Sequence, residues 1–151
     1  MINKFFIILI AIVVVGIVFY SNNQNISVNT ATVMINDLIL EVEVAASPAA
    51  WVRGLSFREG LDKNKGMLFV YPDHQVRIFW MKDMKFPLDI IWVKDNRIIG
   101  IEKNVPIPTS EDIPTVSSPE PVNYVLEVNA GFSQRYGLKI GDKIVVNFPQ
   151  S

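Results

Sequence analysis

The sequence predicts a mainly β domain, an antiparallel sandwich or barrel with one or two short helices, preceded by an N-terminal transmembrane helix. Three features support this fold class. Beyond residue 30 the chain contains many short runs that are apolar or that alternate between apolar and polar residues. Gly, Pro and Asn-Asp turn signals separate these runs, and only two segments carry helix signals. A separate run of sixteen uncharged residues lies at positions 5–20.

The segment FFIILIAIVVVGIVFY at positions 5–20 predicts an uncleaved membrane anchor. Sixteen helical residues cover about 24 Å, somewhat less than the roughly 30 Å hydrocarbon core, so the bilayer would have to thin slightly. A cleaved secretory signal is the alternative, but the segment ends in Val-Phe-Tyr without a small-residue cleavage site. Lys4 precedes the segment and no charge directly follows it, which places the N-terminus in the cytoplasm.

Both interpretations export the rest of the chain. The uncleaved anchor predicts a single-pass protein of the cell membrane with an extracytoplasmic C-terminal domain, and cleavage would make the domain a secreted protein. We therefore divide the chain into an anchor at 1–20, a polar tether at 21–30 and a single β-rich domain at 31–149. The membrane, reached through residues 5–20, is the first expected partner.

Eight segments of the domain have the apolar patterns of β-strands. The first two lie on either side of Asn36-Asp37, a pair typical of hairpin turns. Residues 71–75 and 94–96 are expected to be turns. Residues 105–121 hold five of the nine prolines and are expected to form an ordered crossing loop or a functional loop. The predicted strands cover residues 33–35, 38–44, 66–70, 76–81, 88–93, 97–102, 124–128 and 143–148.

Two segments predict short helices. Ser47 and Pro48 are suited to the N-cap and the first turn of a helix that continues to Leu55. A second short helix is expected within residues 129–136, and Gly137 is suited to the left-handed position that ends it. The few helix signals, set among many strands, favour a β architecture with small helices.

Composition excludes several classes of function. The chain carries 14 Lys and Arg against 15 Asp and Glu without a basic run, which argues against nucleic-acid binding. It contains no cysteine, which excludes disulfides, a thiolate nucleophile and a Cys-ligated metal. The single histidine, His74, cannot supply an imidazole cluster for a metal site or a Ser-His-Asp triad. We expect no metal and no cofactor.

Five blocks of sequence occur in an order that resembles a known family. They are RGLSFR at 53–58, GMLF at 66–69, FWMKDMKFPLDIIWV at 79–93, YVLEVNAG at 124–131 and GLKIGDKI at 137–144. Over residues 33–148 the chain resembles domain-of-unknown-function family 192, found in bacteria and archaea. The resemblance implies a sandwich or barrel of jelly-roll character and no established activity. The family motif resembles WMKNT, so Asp83 and Met84 replace its Asn and Thr, and any site that used the Thr hydroxyl would be lost here.

Two carboxylates inside apolar strands are the first candidate site residues. A carboxylate such as Asp89, directly before IIWV, is costly to bury unless it is paired or hydrogen-bonded. Asp89 therefore forms an ion pair with Arg53, Arg58 or Lys82, caps a turn amide, or lines a site. Glu127 in YVLEV either faces solvent or converges with Asp89. A converging pair could perform acid/base chemistry or hold sugar hydroxyls or a divalent cation.

Two arginines, a tryptophan and a lysine complete the set of candidates. Arg53 and Arg58 lie five residues apart and would suit a carboxylate, sulfate or phosphate ligand, or they would neutralise Asp89 and bind loop carbonyls. Trp80, close to Lys82, is either a stacking platform for a sugar ring or part of the core.

These observations favour a binding domain over an enzyme. The expected ligand is an envelope saccharide or another polar small molecule, with the Pro-rich loop as a rim of the site. One alternative is a hydrolase that uses Asp89 and Glu127 as acid and base. Another is an envelope protein-interaction or assembly module that binds through an exposed sheet edge. The predicted site consists of Arg53, Arg58, Trp80, Lys82, Asp89 and Glu127.

Overall fold

The structure is a computed structural model that describes residues 30–149. The predicted anchor, and the tether up to residue 29, lie outside the described residues. Within residues 30–149, no helix has both the length and the apolar composition needed to cross a membrane. The described part contains nine strands and two short helices. In chain order they are β1 (Thr30–Ile35), β2 (Leu38–Ala45), α1 (Pro48–Arg53), β3 (Lys65–Gln75), β4 (Ile78–Trp80), β5 (Leu88–Lys94), β6 (Arg97–Val105), β7 (Thr115–Ser117), β8 (Val122–Asn129), α2 (Phe132–Arg135) and β9 (Ile144–Asn147).

Seven strands form one curled sheet in the order β6-β5-β8-β3-β2-β1-β9, and β4 pairs with β7 in a small second sheet. The sheet curls far enough for its two edges to meet at one corner. There the backbones of Arg97 and Lys143 form an isolated antiparallel bridge, and the Ile144 amide donates a hydrogen bond to the Asn96 carbonyl over 2.9 Å. The mainly β class with two short helices is confirmed. The architecture, however, is a curled half-barrel with a small added sheet and lacks the predicted jelly-roll arrangement.

The prediction of an antiparallel sheet is wrong at one position, because β2 and β3 run parallel. Parallel neighbouring strands need a long crossover connection. Here α1 and residues 54–64 carry the chain from the end of β2 back towards the level at which β2 begins, where β3 starts. This crossover lies on one face of the sheet and carries two of the predicted site residues, Arg53 and Arg58.

Local signals place most of the elements correctly. Asn36 has a φ of 53°, as the predicted hairpin turn requires. The Ser47 hydroxyl accepts a hydrogen bond from the Ala50 amide and caps α1. Gly137 follows α2 with a φ of 64°. These three features depend on a few consecutive residues, which explains why they can be recognised in the sequence.

Two predicted connections are in fact paired strands. Residues 71–75, predicted as a turn, continue β3, and after a register shift Gln75 pairs with Val122. The Pro-rich loop contains the three-residue strand β7, which pairs with β4. Both pairings are long-range, so neither has a local signal in the sequence.

The curled sheet separates two hydrophobic cores. Ile98 of β6 and Ile144 of β9, from opposite edges of the sheet, join one cluster, which therefore lies inside the curl and is called the inner core. Phe69, Phe79 and Trp92 belong to the outer core on the other face, beneath α1 and the small sheet. Because β5 is buried on both faces, its sequence is apolar almost throughout and shows no alternation.

Gly66 allows β3 and β8 to approach closely at the centre of the sheet. A Cβ atom at this position would lie 2.9 Å from the Glu127 carbonyl oxygen. We expect Gly66→Ala to lower the free energy of unfolding by about 2–3 kcal/mol, because backbone atoms rather than a flexible side chain must move. Gly60→Ala is the control for equilibrium urea unfolding, since nothing lies within 4 Å of its Cβ position. Equal stability of the two variants would contradict this prediction.

Candidate functional site

The strand register places Asp89 and Glu127 on opposite faces of the sheet. Asp89 pairs with Val128, whereas Glu127 pairs with Ile90. Paired residues share a face and successive residues alternate between faces, so Asp89 points to the inner core and Glu127 to the outer core. The predicted convergence of the two carboxylates is therefore wrong, and they cannot act together as acid and base.

Asp89 is a structural clamp. Its side chain is fully buried and its carboxylate accepts hydrogen bonds from the amides of Asn104 (2.9 Å), Gly131 (3.1 Å) and Ser133 (2.8 Å). These bonds join β5 to the end of β6 and to the start of α2. Of the roles predicted for Asp89, capping of turn amides is confirmed and the ion pair with an arginine or lysine is wrong.

Glu127 is buried in the outer core, so the alternative of a solvent-facing side chain is wrong. Only 6% of the residue is exposed, and within the described residues its Oε2 has no hydrogen-bond partner. Burial raises the pKa of Glu127 to about 8, and the nearby positive charge of Arg58 opposes this shift. The buried position of Glu127 therefore favours its protonated form near neutral pH.

Arg58 is held by a carboxylate that the sequence analysis did not single out. Its two terminal nitrogens donate to Glu43 over 2.5 and 2.7 Å, and this pairing lowers the pKa of Glu43 and raises that of Arg58. Met67 lies between Glu43 and Glu127 in the strand register, and the positive charge of Arg58 acts on both carboxylates. No spacing in the sequence relates Glu43 to Arg58, because the parallel β2–β3 pair brings them together.

The other three predicted residues line one open groove, called the α1–β4 groove. It encloses about 620 Å³. Trp80 forms one wall and is 54% exposed, so the prediction of a platform is favoured over that of a core residue. The Nζ atom of Lys82 lies 5.3 Å from the centroid of the Trp80 ring, a cation–π arrangement. The lining residues are Pro48, Ala49, Val52, Arg53, Ser56, Phe57, Trp80, Lys82 and Asp83.

Two residues in left-handed backbone conformations shape this groove. Phe57 has a φ of 67° and Asp83 a φ of 58°, and the Phe57 amide donates to the Asp83 carbonyl over 2.9 Å. The Ser56 hydroxyl also donates to the Lys82 carbonyl, over 3.0 Å. A bulky residue at positive φ is uncommon, and such strain is frequent at functional sites. Phe57 lines the groove and is 68% exposed, so its ring is a second aromatic surface there besides Trp80.

The two residues that replace those of the family motif, Asp83 and Met84, both fit this geometry. Asp tolerates the left-handed conformation much as Asn does, so Asp83 preserves the turn. Met84 is 8% exposed and packs in the outer core. The side chain at position 84 therefore contributes to packing. Because position 84 does not line the groove, the presence of Met instead of Thr there removes no hydroxyl group from the groove lining.

A second groove lies on the other side of Trp80 and is called the apolar groove. It encloses about 510 Å³ and shares Pro48, Val52 and Trp80 with the α1–β4 groove. Arg77 lies over the Tyr71 ring at 3.8 Å from its centroid. The Pro-rich loop supports this region from behind, because β7 pairs with β4 and the Met81 amide donates to a loop carbonyl. The remaining lining residues are Trp51, Val76, Ile78 and Phe79.

Comparisons with known proteins agree with this fold and leave the function open. A crystal structure from Sinorhizobium meliloti 1021, described as a proposed transcription regulator, is 33% identical, with a TM-score of 0.73 over 82% of this chain and 98% of that chain. A protein of unknown function from Novosphingobium aromaticivorans DSM 12444 is 31% identical, with a TM-score of 0.71 over 81% and 89% of the two chains. No curated protein matches the sequence. The family model DUF192, "Uncharacterized ACR, COG1430", matches residues 30–146, and the chain belongs to this family.

Proposed function

We propose that this DUF192 protein is a membrane-anchored, extracytoplasmic binding domain that holds a saccharide or another polar small molecule in the α1–β4 groove. The uncharged segment at 5–20 supports the anchor and the export of the domain. The groove has the volume typical of a small-molecule site. The site is built from Arg53, Trp80 and Lys82, with Phe57 and Asp83 as additional contacts.

The exposed ring of Trp80 beside two cationic side chains carries this proposal. A flat aromatic surface can stack on the apolar face of a sugar ring, and more than half of Trp80 is open to solvent. Within the described residues, neither Arg53 nor Lys82 forms an ion pair with a carboxylate. Their hydrogen-bond donors are therefore available to hydroxyl or acidic groups at the edge of the same ligand.

The hydrolase alternative loses its main support. Asp89 lies on the far side of the sheet from the groove, and Glu127 lies in the outer core outside the groove lining. A single buried acid without a second carboxylate across an open cleft does not match the arrangement of glycoside hydrolases. Binding without hydrolysis is the function that the groove supports best.

Replacing Trp80 with Ala tests this function. Burial of a large aromatic side chain contributes roughly 1.5–3 kcal/mol, so we expect Trp80→Ala to weaken saccharide binding at least about tenfold. Isothermal titration of the purified full-length protein would use oligomers of N-acetylglucosamine and of galacturonic acid. Phe148→Ala is the control, because Phe148 is also an exposed aromatic residue (49%) but lies outside the groove.

The two saccharides separate stacking from charge recognition. Loss of Trp80 should weaken both ligands, whereas Arg53→Gln and Lys82→Gln should weaken mainly the acidic oligomer. The proposal fails if neither saccharide binds saturably, or if Trp80→Ala binds as tightly as the Phe148→Ala control.

A further inference from the structure

We infer that the exposed side chains of the apolar groove rest on the surface of a lipid bilayer. This apolar face consists of Val52, Val76, Ile78 and Trp80, which are 74%, 52%, 70% and 54% exposed. All four line the same groove, so they form a connected surface. A contiguous exposed surface of this kind marks an interaction site in proteins that are otherwise soluble.

The length of chain outside the structure connects this face with a membrane. Sixteen uncharged residues at 5–20 are followed by nine residues before Thr30. The ten steps from residue 20 to Thr30 span at most about 36 Å when fully extended, so a bilayer that holds residues 5–20 lies within that distance of Thr30. The domain is therefore confined to the neighbourhood of the membrane surface.

The sheet places the attachment point at the same end of the domain as the apolar face. Thr30 pairs with Glu43 near the end of β2. The chain continues from Ala45, the last residue of β2, through Ser47 directly into α1, which carries Val52. The short tether therefore holds that end of the sheet, and with it the apolar face, towards the bilayer.

The chemistry of the face suits lipid head groups better than a protein strand. Trp80 is of the type enriched at membrane interfaces, and the exposed apolar side chains of Val76 and Ile78 line the same groove and can enter the boundary between head groups and acyl chains. A protein that binds by strand addition needs a long open edge, whereas β4 has three residues and already pairs with β7. This inference rests on the membrane anchor of the proposed function, but it does not require the α1–β4 groove, on the other side of Trp80, to bind saccharides.

The absence of cysteine from the chain allows a direct test with single spin labels. The full-length protein would be reconstituted in liposomes of phosphatidylethanolamine and phosphatidylglycerol, with labels at Val52→Cys or Ile78→Cys. Ile39→Cys and Ile140→Cys are matched controls, because both residues are apolar and similarly exposed (65% and 68%) but lie outside the apolar face. Collision rates with oxygen, which concentrates in lipid, are compared with those of a water-soluble nickel chelate.

We expect the ratio of oxygen to nickel-chelate collisions to be severalfold higher at positions 52 and 78 than at 39 and 140. Equal ratios at all four positions would overturn the inference. So would protection of positions 52 and 78 from both reagents, because a protein partner or a second copy of the chain would then cover the face. Failure of the protein to float with the liposomes would also overturn it.

Discussion

Replacing Asp89 with Asn is expected to lower the free energy of unfolding by about 3–5 kcal/mol. The Asp89 carboxylate is fully buried and accepts three backbone hydrogen bonds, two at Oδ1 and one at Oδ2. An Asn side chain can keep one oxygen, but its NH₂ group must then face an N–H group. One buried amide loses its acceptor, and the other two exchange a charged acceptor for a neutral one.

Equilibrium urea unfolding of the full-length protein measures this loss. Asp95→Asn is the matched control, because Asp95 is exposed and has a φ of 56°, which Asn also tolerates. The control should change stability by less than about 0.5 kcal/mol. A loss below about 1 kcal/mol in Asp89→Asn would contradict the assignment of Asp89 as a structural clamp.

Glu127 is expected to make the protein less stable as the pH rises. Its pKa is about 8 in the folded protein against an ordinary value of 4.5, so the folded state binds the proton more tightly than the unfolded state. The stabilising contribution is complete below pH 4.5 and is lost as the pH rises through 8. A shift of this size corresponds to about 3–5 kcal/mol across that interval. Glu127→Gln, which stays neutral, should remove this dependence.

Unfolding free energies at about pH 5 and about pH 9 test the prediction. At the lower pH the Glu127→Gln variant should resemble the parent, and at the higher pH it should be more stable by about 2–4 kcal/mol. Glu43 does not interfere, because its lowered pKa confines its own effect to more acidic solution. Glu59→Gln, at an exposed carboxylate paired with Lys85, is the control and should retain the pH dependence of the parent. A parent whose stability is unchanged between these pH values would contradict a buried, protonated Glu127.

Features that depend on a few neighbouring residues could be predicted from the amino-acid sequence alone. The Asn36-Asp37 turn, the Ser47 cap and the end of α2 at Gly137 are set by local conformational preferences and by hydrogen bonds within a few residues. The order of motifs was also enough to identify the family, as the match over residues 30–146 confirms. The mainly β class follows from the same local patterns.

The grouping of the candidate site residues depends on long-range strand pairing, which has no local signal in the sequence. A register shift of one residue between β5 and β8 would turn every side chain to the other face, and no local signal specifies that register. The observed register places Asp89 and Glu127 on opposite faces of the sheet, although the sequence analysis correctly placed each residue within a strand. The parallel β2–β3 pair likewise brings Glu43 to Arg58, which lies fifteen positions further along the chain.

The exposure of Trp80 is the last feature that the sequence could not decide. Phe79, Trp80 and Met81 form an apolar run that would suit a buried strand equally well. The structure places Trp80 in a two-stranded sheet that packs against the outer core through one face only. Phe79 is therefore buried, whereas Ile78 and Trp80 point to solvent. Which face of a short strand is covered depends on what packs above it, and here α1 and the Pro-rich loop, distant in sequence, leave Trp80 open.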